Sequence, residues 1–312
     1  MRERGVYAMS LPTVDKIWMD GELVDWDKAQ VHVLTHALHY GSGVFEGIRC
    51  YETADGPAVF RLRDHMERFE RSAKMLYMEL AYSVDEMVEA VKETIRANKL
   101  QSCYIRPLAF RGYGVMGLDP VPAPVNVIIA VWPWDTYLGE DALANGVDVG
   151  ISSWRQRGIN SMPPAVKATG NYLNSSFARI EANRHGYAEA ILLNEEGKVC
   201  EGTGENLFIV RDGVLSTPPV SDGLLEGITR DSVMIIADDL GYPVLEESLV
   251  RTDLYTADEF FMTGSAAELV PVRAVDGHVI GTPGPITLDL QATFFRVVHG
   301  EEEAYEEWLD RV

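Results

Sequence analysis

The sequence contains few cysteines and no long apolar run. Only three cysteines, Cys50, Cys103 and Cys200, occur in 312 residues, and no two of them form a CxxC pair. This spacing argues against a disulfide framework and a thiolate zinc site, and it is typical of a reducing compartment. No segment approaches the roughly 18 apolar residues of a membrane-spanning helix, and the charged N-terminal residues lack the apolar core of a signal peptide. We therefore expect a cytoplasmic protein without a membrane partner.

Positive charge is also scarce. Lysine and arginine together number 27 against 48 acidic residues, which gives a net charge of −21. A field of that sign repels nucleic acid and anionic membrane surfaces, so neither is expected as a partner. Any anionic ligand must then be held by a few cations placed close to it.

Length and patterning predict two domains of the α+β class. The chain has 46% hydrophobic and 24% charged residues, as globular proteins do, and its length suffices for two cores. Helical and strand patterns occur in groups and not in strict β-α-β alternation, which favours α+β over a Rossmann-type sheet. We predict a small N-terminal domain over 1–132 with a loose arm at 1–15, an interdomain loop over 133–145, and a large domain over 146–312.

Local patterns predict individual elements. Asp20-Gly21 predicts the turn of a hairpin, and Ser83 with Glu86 predicts a capping box at a helix start. The predicted elements are the hairpin at 16–26, helices over 62–79, 83–98, 171–185 and 228–240, and strands over 103–111, 125–132, 147–154, 188–194, 199–202 and 206–210.

Lys167 stands out among only seven lysines. It lies in SMPPAVKATGNY, among small and apolar residues, whereas most other lysines have polar surroundings. Partial desolvation favours the neutral amine, which is the form that attacks an aldehyde. A solvated lysine on a loop is the alternative, so the context supports a covalent role without establishing it.

The stretch CEGTGENLFIV (200–210) places two carboxylates beside glycines. Glu201 and Glu205 precede an apolar strand, and a carboxylate at a strand end beside glycines can approach a flat ligand closely. A solvated turn has the same pattern, so this segment alone decides nothing.

Two segments could bind a phosphate. Gly227–Arg230 opens an apolar-periodic helix whose free N–H groups and dipole favour an anion, with Thr229 as a further donor. MTGSAAEL (262–269) is a small-residue turn that could precede a helical turn and act in the same way. With Lys167, these segments point to a phosphorylated aldehyde cofactor.

His32, His36 and His39 have the spacing H-x3-H-x2-H, which is compatible with a metal site. The segment VHVLTHALHYG alternates like a strand, which would put His39 on the opposite face from the other two. No carboxylate triad accompanies them. We therefore expect hydrogen-bonded structural histidines and no metal, and a non-enzymatic metal-binding protein is the alternative class.

Several segments in a fixed order resemble the branched-chain amino acid aminotransferases, which are fold-type-IV pyridoxal-phosphate enzymes. The resemblance covers nearly the whole chain from about Lys16. It implies a two-domain α+β architecture with pyridoxal 5′-phosphate between the domains. It also implies a ping-pong transfer of the amino group of L-leucine, L-isoleucine or L-valine to 2-oxoglutarate, in a homo-oligomer of at least two chains. The segments are ALHYGSGVFEGIRCY (37–51), YIRPL (104–108), PWDTYLG (133–139), KATGNY (167–172), EGTGENLF (201–208), LLEGITRD (224–231) and DEFFMTGSAAELVPVR (258–273).

The resemblance implies a set of cofactor contacts. Lys167 is similar to the Schiff-base lysine that also moves a proton, Glu201 to the carboxylate at the pyridine nitrogen, and Tyr172 to the hydroxyl at the phenolic oxygen. A buried carboxylate at that nitrogen keeps it protonated, so that the ring can accept electrons. The other implied contacts are Leu225 on the ring face and Arg68, Ile228, Thr229 and Ser265 at the phosphate.

The resemblance implies substrate contacts as well. Arg106 is similar to the residue that accepts the distal carboxylate of 2-oxoglutarate, while Tyr104 and the amides of Ser265 and Ala266 would hold the α-carboxylate. Apolar lining suits a branched aliphatic side chain. The aromatic lining would comprise Tyr40, Phe45, Trp134 and Tyr137, and the positions that reach the neighbouring subunit would be Met116 and Leu118.

Two positions depart from the family pattern. Thr169 stands where many relatives have Gly or Ala, and Ser265 stands where Thr is common, although serine keeps the hydroxyl. The variable loop 111–118 leaves open whether aromatic amino acids or primary amines are accepted. The alternatives within the fold are a D-amino-acid or (R)-amine transaminase and an aminodeoxychorismate lyase, which FEGIR and YIRPL disfavour.

Overall fold

Alternating apolar residues form a first set of strands, which two amphipathic helices cover. The computed structural model describes residues 11–134 and 139–312, so Tyr137 and positions 1–10 of the predicted arm lie outside the described residues. The first half of the chain contains β1 (Lys16–Met19), β2 (Glu22–Asp25), α1 (His36–Tyr40), β3 (Gly43–Phe45), β4 (Ile48–Thr53), β5 (Gly56–Phe60), α2 (Leu62–Met75), α3 (Val84–Ala97), β6 (Cys103–Arg111) and β7 (Val125–Trp132).

The second half contains apolar strands with helices between them. Buried runs such as Phe260–Met262 alternate with amphipathic segments, as expected for strands that are covered on both faces. Its elements are α4 (Glu140–Asn145), β8 (Val147–Arg155), α5 (Tyr172–His185), β9 (Glu189–Leu193), β10 (Val199–Glu201), β11 (Asn206–Arg211), β12 (Val214–Thr217), α6 (Ile228–Asp239), β13 (Val244–Glu246), α7 (Arg251–Tyr255), β14 (Glu259–Gly264), β15 (Glu268–Val275), β16 (His278–Val279), α8 (Pro285–Val298) and β17 (Leu309–Arg311).

The strands form two sheets. The first has the order β17-β5-β4-β6-β7-β1-β2, with β3 paired to β6, and all its pairs are antiparallel. The second has the order β10-β9-β8-β15-β14-β11-β12-β13, with β16 paired to β15, and it contains parallel pairs at β8–β9, β8–β15 and β12–β13. The C-terminal strand thus returns to the first sheet. The predicted division into domains at 133–145 stays a prediction.

Most locally encoded elements match their predictions. Ser83 and Glu86 form both hydrogen bonds of the capping box, and the strands predicted at 103–111 and 125–132 have those bounds. The helix predicted over 62–79 ends earlier, at Met75, because Tyr77 adopts a left-handed conformation with φ of 53°.

Three local predictions are wrong. The histidine segment alternates like a strand, yet it forms the short helix α1, which Gly41 closes in a left-handed conformation. The turn at 265–267 leads into β15 and not into a helical turn, because Thr263 and Leu269 pair across a hairpin. The predicted interdomain loop contains a helix, α4.

The first sheet packs one face against α2 and α3, whereas both faces of the second sheet are buried, since Phe261 and its neighbour Phe260 lie in different cores. Met66 and Phe69 of α2 pack with Ile105 of β6 in the first core, as the apolar stripe of α2 predicts. A second core joins the two halves, since Phe60 of β5 packs with Phe294 of α8. Within residues 11–134 and 139–312, every helix is too short or too polar to span a membrane.

Candidate active site

A cavity lies where α2 meets the loops of the second sheet. It receives side chains from α2, from the loop before α5, from the end of β10, from the start of α6 and from the turn after β14. All eight residues predicted to contact a cofactor line this one cavity, namely Arg68, Lys167, Tyr172, Glu201, Leu225, Ile228, Thr229 and Ser265.

Lys167 is held at the cavity wall through its backbone. Its carbonyl accepts the N–H of Phe45 at 3.0 Å, and its own N–H donates to the hydroxyl of Ser72 at 3.3 Å. The side chain is half-buried, and Nζ lies 2.9 Å from the hydroxyl of Tyr172 and 5.3 Å from the centre of the Phe45 ring. The amine and the phenol therefore form a hydrogen-bonded pair that faces the cavity.

Glu201 occupies another part of the same cavity. Its carboxylate accepts the side-chain amide of Gln156 and the backbone N–H of Leu225, the latter at 3.0 Å. Burial raises the pKa of Glu201 above its ordinary value, although the two donors and the nearby charges of Arg157 and Lys167 oppose the increase. A cationic partner in the cavity would stabilise the ionised carboxylate.

The start of α6 supplies free donors. Gly227 precedes the helix, and the helix has no side-chain cap, so its first N–H groups are open to a ligand. A Cβ at position 227 would lie 1.8 Å from Oδ1 of Asn206, so a larger residue would displace that side chain and its hydrogen bond to the carbonyl of Leu225. Arg68 lies beside this helix start, and its Nη1 donates to the carbonyl of Glu226 at 2.6 Å. The helix dipole and the guanidinium together favour an anion here.

Arg106 lies in an aromatic cluster, which we call the Arg106 cluster, formed with Phe45, Tyr104, Trp132 and Trp134. The guanidinium carbon is 4.7 Å from the centre of the Phe45 ring and 5.3 Å from that of Tyr104, and the ring of Tyr104 packs against Trp134 at 4.4 Å. In the part of the chain that the structure describes, Arg106 has no ion pair, and its Nε is buried without a hydrogen-bond partner. A guanidinium in this state can bind a carboxylate by donating hydrogen bonds to it.

Among the described residues predicted to contact the substrate, only Ser265 lines the cavity, and four lie outside both the cavity lining and the Arg106 cluster. Tyr40 is 47% exposed, Met116 38% and Leu118 85%, and the hydroxyl of Tyr40 lies 3.4 Å from the carbonyl of Met116. Ala266 follows the cavity residue Ser265, and its carbonyl accepts Nη2 of Arg49 at 3.1 Å. Tyr137 lies outside the described residues.

Comparison with known proteins decides the family. The sequence matches the class IV amino-transferase family over residues 43–275. The chain belongs to this family. The branched-chain-amino-acid aminotransferase of Escherichia coli K12 is 50% identical over 308 residues, which cover 97% of this chain and 99% of that protein.

Solved structures agree with this assignment. The branched-chain amino acid aminotransferase of Escherichia coli superposes with a TM-score of 0.94 at 50% identity, covering 96% of this chain and 99% of the other. The branched-chain amino acid aminotransferase of Thermobaculum terrenum in its PLP form gives 0.89 at 37% identity, covering 95% of this chain and 98% of the other. The predicted fold-type-IV family, the α+β architecture and the aminotransferase class are confirmed.

The cavity of this class IV aminotransferase fits pyridoxal 5′-phosphate. An amine for the aldehyde, a carboxylate for the ring nitrogen and an uncapped helix start with Arg68 for the phosphate converge on one cavity. The hydroxyl of Thr263, another lining residue, is buried without a partner in the described structure. The donor set therefore matches the polar groups of the cofactor at three separate points.

Sequence reasoning missed several residues around this aminotransferase site. Gln156 and Arg157 lie close to Glu201, yet they belong to an unpatterned loop, WRQRG, that gives no periodic signal. Glu46 and His65 form a buried ionic cluster with Arg68. The sequence did contain a signal for Glu46, because it is the one charged residue in the apolar segment VFEGI.

The metal-binding alternative is not favoured. His36 is buried, with Nδ1 2.7 Å from the hydroxyl of Ser42 and Nε2 2.8 Å from the carbonyl of Gly117. His39 and His32 bond backbone groups of Val33 and Leu34. Residues 11–134 and 139–312 contain no group of three or more potential ligands suited to a metal ion.

The departure at Thr169 has a structural explanation. Its hydroxyl donates to the carbonyl of Gly41 at 2.8 Å and lies 3.2 Å from that of Gly43. The larger side chain is therefore used to fasten the Lys167 loop to the β3 segment, with its polar atom satisfied.

The environment of Glu205 predicts that the stability of the folded protein depends on pH. Its carboxyl is buried beside the carboxylate of Glu189, and burial together with that negative charge raises its pKa from 4.5 to about 8. Because its pKa is higher in the folded state, Glu205 binds a proton more tightly when the protein is folded. Its contribution to the free energy of unfolding is therefore present at low pH and is lost as the pH rises through about 8. We expect Glu205→Gln, which stays neutral, to gain about 2 °C or more in Tm over the wild type between about pH 6 and about pH 9.

Thermal melts of the holoenzyme at both pH values test this. Glu195→Gln, the same change at an exposed turn position, should follow the wild type. Parallel pH dependence of Glu205→Gln and the wild type would show that Glu205 carries no extra proton when folded.

Proposed function

We propose that this chain transfers the amino group of L-leucine, L-isoleucine or L-valine to 2-oxoglutarate, with Lys167 as the catalytic residue. Relatives that are named branched-chain-amino-acid aminotransferases at 50% identity over 97% of the chain confirm the predicted activity class. Structures of such relatives with pyridoxamine 5′-phosphate and in the PLP form confirm the cofactor. The observation that carries the assignment of residues is the Lys167–Tyr172 pair, which shares one cavity with Glu201 and the start of α6.

Three residues would handle the protons. Bound pyridoxal phosphate supplies an imine-forming aldehyde and a ring that accepts the electrons of the broken Cα–H bond. Lys167 would form the covalent link, yield it to the substrate amine and then carry the proton from the substrate Cα. Tyr172, 2.9 Å from Nζ, would hold the phenolic oxygen of the cofactor. Glu201 would keep a proton on the pyridine nitrogen.

The phosphate would be held by the start of α6. Ile228 and Thr229 would donate their N–H groups, with the Thr229 hydroxyl as a further donor, and Arg68 would contribute charge. Ser265 would add a hydroxyl from the turn after β14. Leu225, whose N–H already bonds Glu201, would cover one face of the ring.

The Arg106 cluster would bind both substrates in turn. Apolar faces of Phe45, Tyr104 and Trp134 suit a branched side chain, and Arg106 would pair with the distal carboxylate of 2-oxoglutarate. The α-carboxylate would bind the hydroxyl of Tyr104 and the N–H groups of the 265–266 turn, whose carbonyls are held by Arg49.

A second copy of the chain would complete the site. Tyr40, Met116 and Leu118 are large and exposed, and the first two are in contact, so a partner subunit that covers them would gain apolar burial. We therefore infer a homodimer at least, with Met116 and Leu118 reaching the neighbouring cavity.

We also infer a cytoplasmic location and the division into domains at 133–145.

A panel of amino donors tests the reaction. We expect the highest kcat/KM with L-leucine, L-isoleucine and L-valine, and far lower values with D-alanine, (R)-1-phenylethylamine and aminodeoxychorismate. The acceptors 2-oxoglutarate and 2-oxo-4-methylpentanoate should both be aminated. A preference for D-alanine or the amine would replace the proposal by a rival within the same family.

Arg106→Gln separates the two acceptors. Loss of one charge-assisted contact should raise KM for 2-oxoglutarate about tenfold or more. The apolar acceptor 2-oxo-4-methylpentanoate lacks the distal carboxylate and should be affected much less. Equal losses for both acceptors would contradict the proposed role of Arg106.

A further inference from the structure

A buried ionic cluster lies behind the phosphate end of the cavity. Glu46, His65 and Arg68 are 0%, 1% and 5% exposed. The two carboxylate oxygens of Glu46 accept Nε of Arg68 at 2.8 Å and Nη2 at 2.7 Å, which is a bidentate pair. Nδ1 of His65 lies 2.8 Å from Oε2 of the same carboxylate. Both oxygens of Glu46 are therefore used by side chains.

The charges of this cluster balance without the histidine. Burial alone would raise the pKa of Glu46, but the charge and hydrogen bonds of Arg68 bring it well below its ordinary value. Burial lowers the pKa of His65 in spite of the adjacent carboxylate. His65 is then a neutral donor at Nδ1, and Glu46 is the single anion that compensates the buried guanidinium.

The bidentate pair between Glu46 and Arg68, which we call the fork, fixes the plane of the guanidinium. With Nε and Nη2 bound to Glu46, Nη1 is the remaining nitrogen, and it donates to the carbonyl of Glu226 at the entrance to α6. Glu46 is itself fixed, since its N–H donates to the carbonyl of Pro107 at 2.9 Å. The carboxylate therefore sets where the arginine stands relative to the helix start.

We propose that Glu46 is a positioning residue for phosphate recognition, acting through Arg68 and supported by His65. The inference rests on the proposed role of Arg68 at the cofactor phosphate. Without the fork, the guanidinium can rotate away from the anion site, and a buried cation that has lost its carboxylate is itself unfavourable. The same segment carries Phe45, so one stretch of chain would serve both the substrate and the phosphate.

The binding of two aldehydes to the full-length, cofactor-free chain tests the proposed role of Glu46. Pyridoxal 5′-phosphate and pyridoxal form the same link with Lys167 and differ only in the phosphate, and visible absorbance gives both dissociation constants. We expect Glu46→Gln to weaken binding of the phosphorylated aldehyde about tenfold, as one lost charge-assisted contact implies, and to change pyridoxal binding less than about twofold. Glu70→Gln, at an exposed position on α2, the helix that carries Arg68, should leave both unchanged.

Two further variants keep the result decisive. In an Arg68→Lys background, Glu46→Gln should cause no additional loss of phosphate selectivity, because the residue acts through the arginine. Glu46→Asp keeps the charge but is too short for the fork, so it should lose selectivity as well and serves if Glu46→Gln does not fold. Equal weakening of both aldehydes, or an unchanged ratio, would overturn the proposal. A wild-type chain that gives no visible band with either aldehyde would instead refute the proposed function.

Discussion

Lys167→Ala should lose transamination of L-leucine by about 10⁴-fold or more, while it retains the cofactor noncovalently. The side chain would serve both as the covalent partner of the cofactor and as the base at the substrate Cα, so no neighbour can replace it. Tyr172 is the only described side chain that hydrogen-bonds its Nζ. The fold should persist, because the contacts of residue 167 with Phe45 and Ser72 involve its backbone.

Borohydride reduction followed by mass spectrometry gives the second readout for Lys167. The wild-type chain should gain the mass of the reduced cofactor irreversibly, and the variant should not. Lys74→Ala, at an exposed position on α2, is the matched control and should behave as the wild type in both measurements. Near-normal turnover of Lys167→Ala would mean that another residue carries the chemistry.

Local sequence signals predicted local structure well. The capping box of Ser83 and Glu86 and the strand over 103–111 depend on residues close in sequence, and both are confirmed. The same reasoning failed at His32–His39, where alternation suggested a strand. The left-handed Gly41 and the bond from its N–H to the carbonyl of Ala37 instead close one helical turn.

Periodic sequence patterns could not predict which distant segments are in contact. Cys50 and Cys103 are far apart in sequence yet oppose each other across β4 and β6. Glu46 and Arg68, 22 residues apart, meet because β3 passes under α2. Local patterns drew attention to Lys167, Glu201 and Thr229, and the other five cofactor residues came from the resemblance alone. The structure places all eight around one cavity, whereas Gln156 and Arg157 gave no signal in the sequence.

Glu201→Gln should lower kcat with L-leucine by about 10²-fold or more, with cofactor still bound. Gln156 and Leu225 donate to the two carboxylate oxygens, so Glu201 enters the cavity as an acceptor. Burial raises its pKa, and a protonated pyridine nitrogen would restore the ionised form by direct pairing. A neutral amide cannot keep that nitrogen protonated, and the ring then accepts the electrons of the Cα–H bond less well.

Single-turnover rates with saturating cofactor, for leucine deuterated and undeuterated at Cα, measure this effect of Glu201. The isotope effect should increase in Glu201→Gln because Cα–H cleavage becomes the slow step, and Glu201→Asp, which keeps the charge, should recover part of the rate. Glu195→Gln makes the same change on an exposed turn between β9 and β10 and should match the wild type. A Glu201→Gln enzyme with a normal rate would show that the ring works without a proton on its nitrogen, and the carboxylate would then serve only to hold Gln156 and Leu225 in place.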